Sequence, residues 1–230
     1  MVYPMSRTVK RQYNSTRRKE QAAETRRRVL RAAHDLFASQ GYGRTTIVGI
    51  ADEAGVAVET VYAAFRNKPT LLRQAWYMTF RGDDADVPLY DRAEMQAILS
   101  ESDLATRIRK HAVFVTATHR RMAPLYTALI GAAASEKAAA DLLAEFRGRR
   151  LDVATKYAKA AARTGQLAVS EEECRDLVFV MLDGVLWQRF VVDLGWTDER
   201  YADWLAELWS WQLLERRRRR GRAPRGRSKG

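Results

Sequence analysis

The chain has little of what secreted and membrane proteins depend on. It has 230 residues but a single cysteine, Cys174, so no internal disulfide can form. No apolar run approaches the ~18 residues that a membrane-spanning helix needs. The N-terminus also lacks the apolar segment of a signal peptide. We therefore expect a cytoplasmic protein with no membrane partner.

Patterns typical of catalysis and metal binding are equally scarce. There is no glycine-rich phosphate loop, and only His34, His111 and His119 accompany the one cysteine. These residues do not have the spacing of a metal cluster or of a thiol–histidine dyad. His119 lies in the basic sequence THRRM, which predicts an exposed position. The sequence predicts a binding protein rather than an enzyme, with no cofactor and no metal.

Positive charge is concentrated at the two ends of the chain. Residues 1–31 carry +8 and residues 216–230 carry +9 of the net +12, which leaves −5 for residues 32–215. Such charge runs are typical of disordered segments that contact polyanions, although they can also act only as solvated tails. We interpret residues 1–17 as a basic disordered arm that contacts DNA, and residues 216–230 as an Arg-rich disordered tail of open role.

Between these ends the chain has helical periodicity and no strand pattern. Ser170, with Glu173 three residues later, has the spacing of a capping box and marks a helix start. Gly165 is a predicted stop for the helix before it. A loop is expected from Gly82 to Asp91. About nine helices are predicted, at 18–40, 46–53, 57–65, 68–81, 102–121, 123–134, 136–164, 171–194 and 198–215.

Residues 45–72 have the spacing of a helix-turn-helix. Thr46 is the predicted N-cap of the first helix, and Ala51 is small enough for two helices to cross closely. Gly55 lies where the turn requires a positive φ. The inner face of the second helix comes from apolar residues, namely Val56, Val61 and Phe65. Because such a motif presents its second helix to the major groove, the sequence predicts a DNA-binding protein.

The same stretch resembles the tetracycline-repressor (TetR) family of bacterial transcriptional regulators. Three differences stand out: Ala57 replaces a common capping Ser, Val48 and Gly49 replace a polar pair, and Pro69 replaces an acidic residue. The resemblance implies a regulator, usually a repressor, that binds DNA as a dimer. It covers roughly residues 20–75 and rests on Phe37, Gly41, Tyr42, Thr45, Thr46, Ile50, Ala51, Ala54, Gly55, Val56, Thr60, Val61, Tyr62, Phe65, Asn67, Lys68, Leu71 and Leu72.

The resemblance and the residue chemistry together assign expected DNA contacts. Phosphates are expected to meet residues at or near helix N-termini, namely Arg44, Thr46 and Lys68. Two further residues match positions that hydrogen-bond the DNA backbone in similar proteins, namely Thr60 and Tyr62. Base edges are expected to face the outward residues Ala57, Val58, Glu59 and Ala63. These are mostly apolar, which favours thymine methyl groups, whereas Glu59 either accepts from cytosine N4 or only complements the helix dipole.

We divide the rest into a DNA-binding domain at 18–68 and a helical ligand-binding and dimerisation domain at 69–215. The segment 171–194 is apolar almost all round, and the final helix carries a stripe of bulky apolar residues. Both helices could simply complete one monomer's core, but we favour a four-helix interface with a second copy. The expected interface residues are Met181, Gly184, Val185, Trp204, Leu208 and Trp211.

A ligand pocket is also expected in the C-terminal domain. His111 and Thr118 lie on an otherwise apolar face and could orient a ligand in a mostly apolar cavity. Alternatively, His111 is a satisfied core histidine, Thr118 bonds to its own helix, and the aromatic residues are ordinary core. The pocket candidates are His111, Phe114, Thr118, Tyr126, Phe179 and Trp187. Asp183 and Arg189 are expected to pair with each other or across the dimer, since unpaired charges are costly to bury.

The sequence thus predicts an all-α protein with an N-terminal helix-turn-helix domain and a C-terminal effector-binding domain. The first functional hypothesis is a sequence-specific regulator that binds a palindromic double-stranded operator as a homodimer and is released by a small-molecule effector. The alternative is a charge-driven, non-specific or architectural DNA-binding protein without an effector. The two differ in their salt dependence and in their preference between sequences.

Overall fold

The structure, a computed structural model, describes residues 7–82, 87 and 89–214. Within these ranges the chain forms ten α-helices and no strand, which confirms the all-α fold class. The predicted tail at 216–230 lies outside the described residues. The helices are α1 Arg7–Arg44, α2 Ile47–Ala54, α3 Val58–Phe65, α4 Lys68–Arg81, α5 Ala93–Leu99, α6 Leu104–Ala133, α7 Lys137–Ala162, α8 Glu171–Met181, α9 Val185–Trp187 and α10 Asp198–Leu214.

The chain divides into two compact units. The first comprises Met1–Asp84 and Pro124–Leu142, and the second comprises Ala85–Ala123 and Leu143–Gly230. Helices α6 and α7 therefore each contribute residues to both units. The stretch Pro124–Leu142, which the sequence analysis assigned to the C-terminal domain, clusters with the N-terminal helices.

The first unit is built on the apolar face of α1. Val29, Ala33 and Phe37 recur at helical spacing and are buried. The helix then kinks at Gly41, whose φ of 79° lies in the region that favours glycine. The kink places Tyr42 so that its ring stacks on Phe37, with the centroids 5.6 Å apart. This turn sets the position from which α2 departs.

Three helix boundaries differ from the sequence prediction. Helix α1 begins at Arg7 instead of residue 18, so residues 7–17 are helical where a disordered arm was predicted, and no Pro or Gly interrupts the chain between 7 and 40. Helix α6 continues through Pro124, where a break was predicted. Pro124 is exposed, so water can bind the carbonyl that loses its partner. Helix α5 was not predicted, although its Met95 and Ile98 are buried.

The prediction of one helix over 171–194 is wrong. Helix α8 ends at Met181, and Gly184 adopts a φ of 79° before α9 begins and continues as the π-helical segment Gln188–Asp193. The carboxylate of Asp183 accepts a hydrogen bond from the Val185 N–H at 3.0 Å, and among the described residues it forms no ion pair with Arg189. Gly184 thus interrupts the helix, and the ring of its neighbour His119 lies 3.5 Å from where a Cβ would be.

The core of the second unit includes buried polar side chains. Helix α10 inserts Tyr201, Leu205 and Trp209 into a cluster with α5, α6, α7 and α8. The same core buries polar residues of α6, namely Arg107, His111, Thr116, Thr118 and His119. The prediction that His119 is exposed is wrong. It lies two helical turns after His111 on the buried face, while its charged neighbour Arg120 points to solvent.

Candidate nucleic-acid interface

The turn between α2 and α3 has the predicted geometry. The Thr46 hydroxyl accepts a hydrogen bond from the Gly49 N–H at 3.0 Å, which caps α2. Gly55 ends α2 with φ 63° and ψ 45°, and its N–H donates to the carbonyls of Ala51 and Asp52. The Val56 N–H donates to the Ala51 carbonyl at 3.0 Å. The predicted cap and the predicted positive φ are confirmed.

Helix α3 has one buried face and one exposed face. Val61 and Phe65 are almost fully buried and fix the helix to the first unit. Tyr62 lies on the other side with 51% of its surface exposed. Val58 is half-buried, and the other predicted contact residues of this helix and its N-cap are exposed, namely Ala57, Glu59, Thr60 and Ala63. The chain therefore leaves the outer face of α3 uncovered by its own unit.

The first turn of α3 has no side-chain cap. Ala57 occupies the N-cap position and supplies no side-chain hydrogen bond. The first N–H groups of a helix have no intrahelical carbonyl partner, and they bind anions well. In this turn the Thr60 N–H donates to the Ala57 carbonyl at 3.0 Å, which leaves the N–H groups of Val58 and Glu59 for a phosphate, although the Glu59 carboxylate lies in the same turn.

The start of α4 holds a lysine against the end of α1. Asn67 caps α4 by accepting from the Thr70 N–H at 2.9 Å. The Lys68 ammonium lies 4.1 Å from the centroid of the Tyr42 ring and donates to the Gly43 carbonyl at 3.4 Å. Partial burial lowers the pKa of Lys68 below its ordinary value, and the nearby Glu136 carboxylate offsets only part of this shift. The cation–π contact orients Lys68 at the edge of the helix-turn-helix.

Two exposed residues of this region were given no DNA role by the sequence analysis. Val48 is 55% exposed on α2, opposite the buried Ile50 and Ala54, so helical spacing alone could have identified it. Arg66 follows α3 with a φ of 64°, the one positive φ of a non-glycine residue in the described part of the chain. No local sequence signal predicts that backbone conformation for arginine. Arg44, which was assigned a role, is also exposed, and its Nε donates to the Gln40 carbonyl at 3.0 Å.

The predicted pocket residues are divided between the two units. Tyr126 belongs to the first unit, where its ring centroid lies 6.1 Å from that of Trp76. Thr118 is buried and donates to the Phe114 carbonyl at 2.9 Å, as the alternative interpretation expected. Phe114 itself is part of the second unit's core. The indole N–H of Trp187 donates to Asp198 at 2.8 Å, and the Arg150 guanidinium lies 4.9 Å from the centroid of Phe179.

His111 is a core histidine with an unusual environment. Its ring is stacked between Tyr157 and Trp209, at centroid distances of 4.2 Å and 5.2 Å. Burial lowers the pKa of His111 to about 3 and that of His119 to about 4, so both are neutral near pH 7. The Nδ1 atom of His111 has no hydrogen-bond partner, so the ring is packed but not satisfied.

The predicted interface residues lie outside the buried core. Trp204 and Leu208 are half-buried, and Trp211 is 50% exposed, because α10 turns Tyr201, Leu205 and Trp209 inward. The other three predicted residues, Met181, Gly184 and Val185, are half-buried at the break between α8 and α9. The second unit by itself therefore leaves an apolar stripe along α10 in contact with solvent.

Other kinds of site are not found in the described ranges. No group of three or more His, Cys, Asp or Glu side chains there could hold a metal ion. No helix in the same ranges is both long and apolar enough to cross a membrane.

A family model matches the first unit. The family described as "Bacterial regulatory proteins, tetR family" matches residues 29–75. The transcriptional regulator TtgR of Pseudomonas putida is 42% identical over 57 residues, which are 25% of this chain and 27% of TtgR. ArpR of Pseudomonas putida, described as a probable transcriptional regulator, matches to the same extent. The matched segment thus spans about a quarter of these curated relatives.

Solved structures with the same fold cover most of the chain. A regulator from Saccharomonospora viridis in complex with choline has a TM-score of 0.61 at 18% identity and covers 84% of this chain and 100% of that chain. NalD of Pseudomonas aeruginosa, described as the secondary repressor of the MexAB-OprM multidrug efflux pump, has a TM-score of 0.58 at 17% identity. That match covers 85% of this chain and 99% of NalD.

Proposed function

We propose that this chain is a member of the tetR family of bacterial regulatory proteins, whose model matches residues 29–75, and that it is a sequence-specific DNA-binding repressor released by a small-molecule effector. The observation that carries the proposal is the exposed face of α3, held by a capped α2 and a left-handed turn at Gly55. Proteins of this family regulate transcription and are not enzymes. The expected partner is double-stranded DNA.

Phosphate contacts would position α3 in the major groove. Thr46 and Lys68 lie at the starts of α2 and α4, and Arg44 is exposed at the end of α1. Thr60 and Tyr62 offer hydroxyl groups to the DNA backbone. Ala57, Val58, Glu59 and Ala63 would then face base edges. Apolar readers favour thymine methyl groups, so the operator should contain thymines at the contacted positions.

The protein would act as a homodimer. Trp204, Leu208 and Trp211 follow one another at spacings of four and three residues, which places them on one face of α10, and none is buried within the chain. A second copy would cover this face, together with Met181, Gly184 and Val185. A two-fold dimer presents two α3 helices to half-sites about 34–36 Å apart, so the operator should be palindromic.

Selection of genomic DNA fragments by the purified protein at physiological salt tests the proposal. Enrichment of one palindrome is expected for a dimeric regulator. Recovery of random fragments would contradict it and favour the second candidate, a charge-driven DNA-binding protein, to which the charges of +8 and +9 at the two ends point. In that case binding should fall steeply with salt and should weaken when residues 1–17 or 216–230 are deleted.

A further inference from the structure

Arg107 is a buried cation that forms no direct ion pair with any described residue. Only 4% of its surface is exposed, and the nearby Glu101 carboxylate attracts its charge without lying within ion-pair distance of the guanidinium. Its Nε donates to the Glu101 carbonyl at 2.9 Å, and its Nη2 donates to the same oxygen. The Glu101 carboxylate instead binds the Lys110 ammonium at 2.7 Å. Burial lowers the pKa of Arg107, which reflects the cost of holding this charge away from water.

Two further donors without partners lie in the core of the same unit, and one of them, the Tyr157 hydroxyl, interacts electrostatically with Arg107. The Nη1 of Arg107, the hydroxyl of Tyr157 and the indole N–H of Trp209 have no hydrogen-bond partner, and the three side chains are almost fully buried. Tyr157 and Trp209 stack on either side of His111, which follows Arg107 by one turn of α6. Arg107 and Trp209 can only donate. Buried donors without acceptors are rare in native proteins, so this cluster needs an acceptor from outside the chain.

The charge decides what kind of acceptor fits. A buried water could bind the N–H groups but would bring no negative charge to the guanidinium, which Glu101 compensates only at a distance. A carboxylate accepts several hydrogen bonds and neutralises the cation. The side chains around the cluster are apolar, including Leu104 and Ile108, both fully buried. An apolar or aromatic body attached to the carboxylate would match them.

We propose that Arg107, Tyr157 and Trp209 form the binding site for the carboxylate of a small, otherwise apolar effector. This inference rests on the proposed function, since it assigns a chemical class to the effector of that regulator. Arg107 supplies the charge, Tyr157 and Trp209 supply further donors, and the neutral His111 ring separates the two aromatic rings.

Thermal unfolding with paired probes tests the site. Formate, benzoate and octanoate are each compared with the neutral amide of the same shape, namely formamide, benzamide and octanamide. At least one carboxylate should raise the unfolding temperature of the full chain, whereas its amide should not. No shift with any carboxylate, an equal shift with the amides, or an equal shift with inorganic phosphate would overturn the proposal.

Variants separate ligand binding from folding. Arg107→Gln should lower the affinity for the active carboxylate at least tenfold. Arg109→Gln, an exposed control two residues along α6, should leave that affinity within twofold of the wild-type value. If Arg107→Gln does not fold, Tyr157→Phe serves instead. Tyr157→Phe keeps the stacked ring and should leave the stability of the ligand-free protein unchanged. It should lower the affinity for the carboxylate several-fold. Unaltered carboxylate binding in both variants would show that Arg107 only holds the Glu101 carbonyl.

Genomic DNA selection and carboxylate binding together distinguish the proposed regulator from the proposed effector site. If genomic selection yields a palindrome but no carboxylate binds, the assigned effector class is wrong and the regulator stands. If a carboxylate binds in an Arg107-dependent way but no palindrome is selected, the site stands and the regulator is wrong. When both hold, the active carboxylate should weaken operator binding by the wild type and by Arg109→Gln.

Discussion

The two compact units treat buried polar groups in opposite ways. Among the described residues of the first unit, no buried side-chain nitrogen or oxygen lacks a hydrogen-bond partner, as Thr45 illustrates. Its hydroxyl donates to the carbonyls of Leu36 and Gly41 at 3.1 Å and 2.8 Å. In the second unit the described core holds Arg107, His111 and His119, each with a polar atom that lacks a partner. The first core is complete without any other molecule, whereas the second has unmet hydrogen-bonding capacity.

This difference corresponds to two tasks. A helix that is proposed to read DNA must be held rigidly, and here α2 has a side-chain cap and the first unit has an apolar interior. A unit that responds to a ligand benefits from groups whose partners arrive with that ligand, at some cost in stability. The comparison therefore predicts that changes to the second unit alter response and assembly, while changes to the first alter DNA recognition and local stability.

The largest effect is expected from the exposed stripe of α10. Trp211→Glu places a charge where a second copy is proposed to pack, and burying an unpaired carboxylate costs several kcal/mol. We expect monomers in analytical ultracentrifugation and a loss of operator affinity of about 100-fold or more. The matched control is Ser210→Glu, which adds the same charge one residue away. A variant that stays dimeric would place the interface elsewhere.

The next effect concerns the buried histidines of the second unit. Because their pKa values are lowered to about 3 and about 4, the unfolded chain takes up protons first as the pH falls below ~6.5. Each histidine should then reduce the free energy of unfolding by about 1.4 kcal/mol per pH unit down to its native pKa, with full stability above ~6.5. His111→Phe should remove about 2 kcal/mol of the loss between pH 6.5 and 4.5, measured by urea denaturation.

A control confirms that this loss belongs to the buried histidine. Val113→Phe introduces the same side chain at an exposed position of α6 without removing a titratable group, so it should leave the pH dependence in place. If His111→Phe and wild type lose stability with the same slope, His111 does not titrate in the way that its burial implies, and the contrast between the two cores weakens.

DNA recognition by the first unit should show a smaller and more selective effect. Tyr62→Ala removes an exposed hydroxyl expected to bind the DNA backbone, so affinity should fall by about 1–2 kcal/mol for all sequences alike. Changes at Val58 or Ala63 should instead alter the preference between operator variants, as measured by fluorescence anisotropy. Unchanged affinity and preference in all of these variants would rule out the proposed docking of α3.

The smallest effect tests the turn between α2 and α3. Gly55→Ala meets no steric obstacle, since the nearest atom to an added Cβ is the Arg28 Nη1 at 4.0 Å, but φ is 63°. We expect a loss of about 1 kcal/mol in the free energy of unfolding from backbone conformation alone. Gly131→Ala, on the exposed side of α6, should be neutral or stabilising by up to about 1 kcal/mol. If Gly55→Ala and Gly131→Ala changed the free energy of unfolding equally, the turn would not require a glycine.

Most of the first unit could be predicted from local sequence. Caps and turn residues act through contacts within a few residues, so they can be predicted locally. The predicted caps Thr46 and, in the second unit, Ser170 are confirmed, as is the turn residue Gly55. The end of the long apolar segment could not be predicted in the same way. Asp183 and Gly184 interrupt it, yet an isolated glycine in an apolar helical pattern does not by itself indicate a break.

The candidate sites show the same division. The exposed residues of α3 follow from helical spacing, because the buried Val61 and Phe65 define the opposite face. The proposed grouping of Arg107, Tyr157 and Trp209 does not, since these residues come from three helices and are separated by 50 or more positions. Hydropathy also predicted an exposed His119, whereas helical spacing from His111 would have placed it inside.

The sequence by itself determined the helical fold class, the helix-turn-helix and the resemblance of residues 29–75 to the tetR family, because these depend on caps, glycines and periodicity that act over short distances along the chain. Only the tertiary structure decided which polar residues of α6 are buried, which face of α10 remains exposed, and which donors lack partners. Those properties depend on how distant helices pack against one another, and burial is set by neighbours that local sequence does not specify.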